Sequence, residues 1–563
     1  MRISFLLAAQ ATFRLVRLLP GLLCLALLAQ PAQADRERLT IGVGQYSASL
    51  NPLLEASVAQ SYILGMTARQ LTNYDADWNL VCMLCERLPT FENGLAKRQT
   101  LSDGSEGVAV TYELKRDLMW DDGTPLTARD VKLAWEIGQD RRVGAIVGES
   151  YRRILEVTIE DPHTVTFLID HVPFNYNASG IRPMPDHLEG EIYREDPAAY
   201  ATRTLFDAAP ATPGLAYGPY RIIRAQAGSE ILLGRNPHWQ GKEPAFDEVR
   251  VITVTNTAAL EANLLSGAID MISGEFGIQV PQAIAFERRH GEDYQVLYRP
   301  SLAYEHIDLN LDRPFLGDVR VRRALLHAID RQAIVDRLFN DRQPVALSNV
   351  SPLSPNATDD LPRYDYDPET AKALLEEAGW TASGNGRQNA DGERLVLTLG
   401  TTAGDRTREL VQQVLQSQWR AVGVEVRIQN APARVFFGQQ VRERRYGDMA
   451  LFAWFAAPGS VPRTTLRSSE IPSEANGWAG QNYTGYANPE MDWLIDAWEV
   501  ALDPEERKVI AGDLQRLYMT DLPVLPLYWR STAFVLPLWL TNVKPTGNLS
   551  PTTAWIEDWE VTD

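Results

Sequence analysis

Short strand-like runs alternate with amphipathic helices along most of the chain, and this alternation limits the folds that the sequence can adopt. Residues 39–43 form an apolar strand pattern, and residues 108–114 alternate apolar and polar side chains as a half-buried strand does. A strand–helix–strand unit follows the same order through residues 395–399, 410–419 and 424–428. This order of elements predicts α/β layers in which ligands bind at the ends of strands.

Two helix starts carry specific local signals. Thr127 is placed to cap a helix, and Asp130, three residues later, completes a capping box. Asp367 precedes Pro368, a residue favoured at the first helical position, and Gly379 is placed to end the same helix. These signals predict helices and are silent on function.

The first 34 residues have the parts of a secretory signal peptide. Arginines precede an apolar run at residues 18–29, and Ala32-Gln33-Ala34 supplies the small-x-small pattern that signal peptidase accepts. The run is too short to span a bilayer comfortably, which argues against a membrane anchor. Cys24 follows a leucine where a lipobox requires glycine or alanine, so lipid attachment is not predicted. We expect cleavage near Ala34 and a periplasmic mature chain.

Charge and motif content argue against several classes of protein. Removal of a leader with three arginines and no acidic residue changes the formal net charge from −19 to −22, which argues against nucleic acid binding. No two of the seven histidines are spaced four apart, and no His-Glu-x-x-His, Gly-x-Ser-x-Gly or Walker motif occurs. We therefore predict no catalytic residue, no metal site and no cofactor. A hydrolase with carboxylates at unlinked positions stays open at this point.

Five segments, in one order, resemble a single family. Residues 120–131 resemble the "F-x-D-G-x-P-hydrophobic-T-A-x-D-V" signature of extracellular solute-binding protein family 5, the family of periplasmic oligopeptide- and dipeptide-binding proteins. Residues 217–220 are similar to its "G-T-G-P-Y" turn, and residues 235–239 to the "R-N-P-x-Y/W" that follows. Residues 319–331 resemble "V-R-x-A" with "A-I-D-R", and residues 366–380 resemble "Y-D-P-E-x-A-x-x-L-L-x-x-A-G-W". The segments span almost the whole mature chain.

The resemblance implies an α/β fold of the two-lobed periplasmic binding protein type (type II), with an extra domain inserted in the first lobe and a ligand cleft between the lobes. On this basis residues 35–72, 205–298 and 525–563 form lobe I, residues 73–204 form the inserted domain II, and residues 299–524 form lobe III. The three ranges of lobe I would then be brought together by the fold.

The resemblance also implies a function. The chain would be the substrate-binding component of an ABC importer, a monomer that captures a peptide or another small polar solute in the periplasm. It would deliver this ligand to inner-membrane permease subunits, which work with their own ATPases. Two alternatives are a secreted hydrolase and a chemosensory protein that binds ligand without coupling to transport.

One segment that resembles the family's binding site lacks a charge. In the peptide binders, ligand lies against a "G-W-x-x-D" segment whose aspartate pairs with the α-ammonium group of the peptide. The matching segment here keeps Trp454, continues with Phe455, and has Ala457 at the position of the aspartate. A buried ammonium group without an anion costs on the order of several kcal/mol. Either another acid, such as Glu305 beside Tyr304, supplies the charge, or the ligand has no free ammonium group.

Further ligand-binding candidates come from segments expected at the interlobe face: Tyr46, Ser47, Thr402, Arg406, Asn482 and Tyr483. Aromatic rings offer flat contact surfaces, and Arg406 could bind a carboxylate through two parallel hydrogen bonds. The alternative interpretation is that Trp454 and Tyr304 are core residues, because aromatic side chains are mostly buried in packing.

Cys82 and Cys85 form a C-x-x-C pair in a chain expected to be exported. A thioredoxin-like pair would need a helix after it, which Pro89 soon interrupts, and zinc would need a second pair of soft ligands. A short structural disulfide is therefore the predicted state in an oxidising compartment.

Overall fold

The structure is a computed structural model that describes residues 37–146 and 149–562. The predicted signal peptide, residues 1–34, lies outside the described residues, and so does Cys24. Within the described ranges, none of the helices has both the length and the apolar character that a bilayer crossing requires.

The strands of the described residues are, in chain order, β1 (Arg38–Val43), β2 (Thr72–Tyr74), β3 (Leu80–Cys82), β4 (Ala96–Thr100), β5 (Glu106–Glu113), β6 (Ile154–Asp161), β7 (Thr164–Ile169), β8 (Tyr220–Gln226), β9 (Glu230–Arg235), β10 (Glu248–Thr253), β11 (Met271–Ile272), β12 (Tyr294–Leu309), β13 (Thr381–Ser383), β14 (Gly386–Gln388), β15 (Val396–Gly400), β16 (Glu425–Ile428), β17 (Met449–Phe455), β18 (Val524–Pro537), β19 (Leu540–Thr541) and β20 (Glu560–Val561).

The α-helices are α1 (Val58–Thr67), α2 (Ala128–Gln139), α3 (Glu149–Arg152), α4 (Glu189–Glu195), α5 (Tyr200–Arg203), α6 (Leu205–Ala208), α7 (Thr257–Leu265), α8 (Val280–His290), α9 (Pro314–Gly317), α10 (Val319–His327), α11 (Arg331–Phe339), α12 (Pro368–Glu377), α13 (Arg406–Ala421), α14 (Ala433–Val435), α15 (Arg463–Leu466), α16 (Pro489–Val500) and α17 (Pro504–Asp521). A π-helical turn, Phe436–Val441, and 3₁₀ turns at Ser468–Glu470, Glu474–Asn476 and Thr552–Asp558 complete the helical elements of the described chain.

The local signals in the sequence produce the elements that they predict. Thr127 caps α2, and the reciprocal contacts of the capping box with Asp130 are present. Asp367 caps α12, which has Pro368 in its first turn. The strand–helix–strand unit is β15, α13 and β16, and the two strands pair in parallel. Parallel neighbours require a crossover connection, which α13 provides, so the local pattern also determines part of the topology.

Ten of the described strands form one mixed sheet in the order β16-β15-β17-β12-β18-β11-β1-β10-β9-β8. The pairs of β1 with β10 and β11, and of β15 with β16 and β17, are parallel. The two larger buried clusters formed by apolar side chains of this sheet and its covering helices lie around Leu397 and Trp419 and around Leu39 and Val249. The sheet therefore supports two separate cores.

Two long antiparallel strands connect these halves of the sheet. β12 has 16 residues and β18 has 14. The first part of β12, residues 294–300, pairs with β18, and residues 303–309 pair with β17 as well. The register with β18 shifts between Pro300 and Tyr304. This change of partners marks the passage between the two halves.

A second, antiparallel sheet has the order β4-β5-β7-β6. It packs with α2 over a core that contains Tyr112, Trp120 and Phe167. These elements lie inside residues 73–204, the range predicted for domain II. The boundaries of the three domains themselves stay a prediction. The names lobe I, domain II and lobe III are used below for the predicted ranges.

Candidate functional site

Three adjoining cavities lie where the predicted lobes meet. Cavity A, of about 250 Å³, is lined by lobe III and by residues of β12 and β18. Cavity B, of about 420 Å³, is lined from lobe I, domain II and lobe III together. Cavity C, of about 230 Å³, is lined by domain II and lobe III. Cavities A and B share Leu302, Phe455 and Ala456, and cavity C shares Ser460 with A and Gly180 with B. The three form one cleft.

The wall of cavity A is one face of the sheet. Alternate residues of β12, Tyr304, His306 and Asp308, line it, because successive side chains of a strand point to opposite faces. Trp454 of β17 and Trp529 of β18 are paired in register with Tyr304 on either side. The rings of Tyr304 and Trp529 are 5.0 Å apart, and those of Tyr304 and His306 stack at 4.9 Å. The wall is therefore aromatic, with an imidazole and a carboxylate along its central strand.

Cavity B contains one cation and one anion that belong to different domains. The carboxylate of Glu275 accepts hydrogen bonds from the Thr552 amide at 2.9 Å and from the Ser273 hydroxyl at 2.8 Å. Arg182 donates from Nε to the carbonyl of Ala68 at 3.2 Å, and burial lowers its pKa. These groups give cavity B a polar lining that suits a polar ligand.

Cavity C contains the direct contacts between domain II and lobe III. The Phe174 amide donates to the Glu499 carbonyl at 2.8 Å, and the guanidinium of Arg507 lies 4.5 Å from the Phe174 ring. Nε2 of His171 lies 3.4 Å from the Glu499 carboxylate, which also pairs with Arg463. Burial lowers the pKa of His171, but hydrogen bonds to Glu499 and Asp170 outweigh it and leave the pKa above its usual value. His171 and Glu499 thus join domain II to lobe III beside cavity C, and the raised pKa means that this contact favours the protonated imidazole.

Four of the sequence-predicted residues line the cleft. Tyr304 and Trp454 line cavity A, Ala457 lines cavity B, and Phe455 lines both. The Phe455 side chain is 58% exposed, as expected of a ring that faces open space between lobes. Tyr483 is outside the lining, but its ring stacks on that of Trp454 at 5.7 Å.

Glu305 does not line any of these cavities, contrary to the prediction. It follows Tyr304 on β12 and so points to the opposite face of the sheet, where its side chain has no exposed surface. Its carboxylate pairs with Nε of Arg408 at 2.6 Å and with Nε of Arg530 at 2.6 Å. Burial would raise the pKa of Glu305, but the attraction of the two arginines outweighs it and lowers the pKa. Its charge is already neutralised by Arg408 of lobe III and Arg530 of lobe I.

The remaining candidates have structural contacts outside cavities A to C. Asn482 is buried and bonds four groups of its own loop, donating to the carbonyls of Arg467 and Tyr486. Thr402 accepts a hydrogen bond from Arg408, and the Arg406 side chain is 70% exposed on the first turn of α13. The other two serve lobe I: Ser47 donates to a backbone carbonyl two residues on, and Tyr46 packs beside a buried cluster.

Cys82 and Cys85 are joined as a disulfide, with their Cα atoms 5.2 Å apart. The bridge lies at the end of β3, and neither cysteine lines cavities A to C, although Thr72, the register partner of Cys82, lines cavity B. The described residues hold no group of three or more His, Cys, Asp or Glu side chains placed to bind a metal ion.

Sequence reasoning missed many polar residues of the cleft, among them His306, Asp308, Arg182 and Glu275. For two of them a signal was present. In a strand that contains Tyr304, a period of two places His306 and Asp308 on the same face and Glu305 on the other. Arg182 and Glu275 lie outside the long strands of the large sheet. They line the same cavity only because of how domain II packs against lobe I, which no local pattern in the sequence shows.

Comparison with known proteins adds independent findings. Residues 90–470 match the model of the bacterial extracellular solute-binding proteins, family 5 (middle). The oligopeptide-binding protein AppA of Bacillus subtilis (strain 168) is 25% identical over 504 residues, which cover 88% of this chain and 86% of AppA. The nickel-binding periplasmic protein of Escherichia coli (strain K12) is 23% identical over 495 residues, covering 88% of this chain and 89% of that protein.

A solved structure shows the same fold. The oligopeptide-binding protein from Thermus thermophilus, complexed with a pentapeptide, superposes with a TM-score of 0.74 at 24% identity. The superposition covers 93% of this chain and 96% of that one. The relatives thus share an architecture while their names specify chemically different ligands.

Proposed function

Because the chain belongs to family 5 of the bacterial extracellular solute-binding proteins, we propose that it is the substrate-binding subunit of an ABC importer. It captures a peptide or another small polar solute in the periplasm and delivers it to an inner-membrane permease with its ATPases. It works as a monomer and performs no chemical reaction on the ligand.

The observation that carries this proposal is the continuous cleft between the predicted lobes. Cavity B is lined by all three predicted parts of the chain, so a ligand there contacts them together, and we expect these contacts to be complete only when the lobes are closed. Such a ligand shifts the population toward closure, because it binds the closed form more tightly than the open one. A permease can then distinguish loaded from empty protein by shape.

Within the cleft, we assign ligand contact to Tyr304, Trp454, Phe455 and the backbone around Ala457. The three rings supply flat apolar area at low cost in conformational entropy. A small residue at position 457 leaves room for ligand at the entrance to cavity B. The names of the relatives do not determine the ligand, since they include oligopeptides and nickel.

The first experiment is mass spectrometry of ligand released on gentle unfolding of the mature chain, purified without its leader. A thermal-shift screen of peptides, N-blocked peptides, oligosaccharides and amine-free metabolites accompanies it. A true ligand raises the unfolding midpoint by mass action. Protein that releases no ligand and shows no shift with any compound would contradict solute capture.

Matched variants test whether the ligand binds in this cleft. Ala456→Trp fills the junction of cavities A and B and should abolish the shift, whereas Val509→Trp on the exposed face of α17 should leave it intact. Turnover of a bound compound would instead support the secreted hydrolase. Binding without any loss of solute uptake when the gene is deleted would support the chemosensory alternative.

A further inference from the structure

Domain II and lobe III each place an apolar side chain against a core of the other part. The ring of Phe174, in the segment that follows β7 of domain II, packs against the buried cluster around Leu397 and Trp419. In the opposite direction, Leu502 of lobe III packs against the domain II core that contains Tyr112. Both side chains are partly buried, so separation of the two parts would expose apolar surface on each side to water.

The backbone of Phe174 completes the end of a lobe III helix. The last four carbonyl groups of an α-helix have no hydrogen-bond partner within the helix. α16 ends at Val500, and the carbonyl of Glu499 accepts a hydrogen bond from the Phe174 amide at 2.8 Å. Domain II therefore supplies a donor that the sequence of α16 cannot supply to itself.

Two residues of lobe III fit closely around the Phe174 ring. The guanidinium of Arg507 lies 4.5 Å from the ring centroid, which is a cation–π arrangement. Gly459 has a φ of +73°, and a Cβ atom at this position would lie 3.3 Å from the edge of the ring. The approach of the ring to lobe III thus depends on a glycine, which alone adopts this backbone freely and leaves the space open.

Charges of domain II and lobe III also meet at the same helix end. The Glu499 carboxylate lies 3.4 Å from Nε2 of His171 and 3.9 Å from Arg153, both of domain II. Arg463, of lobe III, is its third partner. Positive groups are favourable at the C-terminal end of a helix, where the helix dipole places partial negative charge. Apolar packing, a backbone hydrogen bond and ion pairs therefore coincide at one contact.

We propose that residues 171–174 of domain II form a latch on the C-terminal end of α16, and that this latch sets the proportion of closed protein before a ligand binds. The inference rests on the proposed function, because the binding subunit of an importer must open to release its ligand. Gly459, Leu502 and Arg507 lie outside the lining of cavities A to C, so they act on closure and not on the ligand. Since apparent affinity is the intrinsic affinity multiplied by the closed fraction, the latch scales the affinity for every ligand by one factor.

The test measures the distance between domain II and lobe III in dialysed, ligand-free protein. Nitroxide labels are attached at Glu191→Cys on α4 and Lys508→Cys on α17, both of which are exposed positions. Double electron–electron resonance then gives the open and closed populations. Phe174→Ala should lower the ratio of closed to open protein by about tenfold, because a partly buried ring and its cation contact are lost. Leu502→Ser acts from the other side of the contact and should shift the ratio in the same direction, which keeps the test decisive if Phe174→Ala fails to fold.

Phe91→Ala is the matched control. Phe91 is also partly buried and has an arginine over its ring, Arg98 at 5.7 Å, but its ring partners Arg98 and Tyr176 belong to domain II itself. This variant should leave the distance distribution unchanged.

Unchanged distributions in Phe174→Ala and Leu502→Ser would overturn the latch. A loss of affinity for the released ligand in Phe174→Ala, without any change in the distances, would overturn it too, because Phe174 would then act as a ligand contact in cavity C. A shifted distribution in a protein that releases and binds no compound would overturn solute capture and leave the latch standing.

Discussion

Replacement of Glu305 by glutamine distinguishes two roles for this residue: the ligand binding predicted from the sequence, and the structural ion pairing that its contacts support. The carboxylate is fully buried between Arg408, whose side chain is 9% exposed, and Arg530, which is 23% exposed. Glutamine keeps the size of the side chain but removes the negative charge. Two arginines then lose their shared partner, one of them with almost no access to water.

The expected cost follows from these exposures. Removal of one partner from a buried pair destabilises a protein by about 3–5 kcal/mol. Because Arg530 reaches solvent, we expect the lower end, about 3 kcal/mol. An unfolding entropy of about 2.1 cal/mol/K per residue over residues 37–563 gives about 1.1 kcal/mol per kelvin, so the midpoint should fall by about 3 °C.

The assay is thermal and urea unfolding of wild type and Glu305→Gln, with ligand affinity measured by calorimetry on the same samples. Glu425→Gln, which loses an exposed pair with Arg427, is the control and should change the midpoint by less than about 1 °C. Affinity of folded Glu305→Gln should match wild type. An unchanged midpoint with a tenfold loss of affinity would refute the structural role and restore Glu305 as a ligand residue.

Three other variants test separate parts of the cleft and its surroundings. Trp454→Ala should weaken ligand binding by at least about tenfold in calorimetry, because a ring of the cavity A wall is lost, and unchanged affinity in a folded variant would remove it from the site. The raised pKa of His171 in the closed form means that its contact with Glu499 is fully present below about pH 6.5 and is lost as pH rises through the raised pKa. Ligand affinity of the wild type should therefore fall as pH rises through the raised pKa, and the affinity of His171→Asn should not change over the same range. Profiles of affinity against pH that are parallel in the two proteins would contradict a role of His171 in closure. Joint replacement of Cys82 and Cys85 by serine should cost at most about 2 kcal/mol in urea unfolding, since the closed loop is short, and a larger loss would show that the bridge does more than constrain that loop.

The parts of the fold that were predictable depend on neighbours in the sequence. Thr127 with Asp130, and Asp367 with Pro368, act within one helical turn, so their side chains identify helix starts without any tertiary information. The strand–helix–strand unit at residues 395–428 was predictable for the same reason. The pairing of β12 with both β17 and β18 was not, because it joins segments more than a hundred residues apart.

In the candidate site, too, residues identified from their own segment were predictable, and contacts between distant segments were not. Trp454 and Phe455 were found because the resemblance points to their segment, and the structure places them in the cleft. Glu305 was proposed as a substitute acid because it stands beside Tyr304, while its actual partners, Arg408 and Arg530, lie 103 and 225 residues away along the chain. No local pattern shows that a carboxylate is already neutralised by such distant groups. The alternation of β12 could have corrected the assignment, since Tyr304 and Glu305 cannot line the same face.

Buried acids on the two faces of β12 have different partners, and this has a consequence for ligand specificity. Glu305 meets its arginines on the face toward the lobe III interior, so its charge contributes to the fold with or without ligand. Asp308, on the cleft face, has the imidazole of His306 as its ion-pair contact, with Nε2 3.2 Å from Oδ1, and both side chains line cavity A. Stability and selectivity are thus carried by alternate residues of one strand, and the cleft face can change its ligand without disturbing the core behind it.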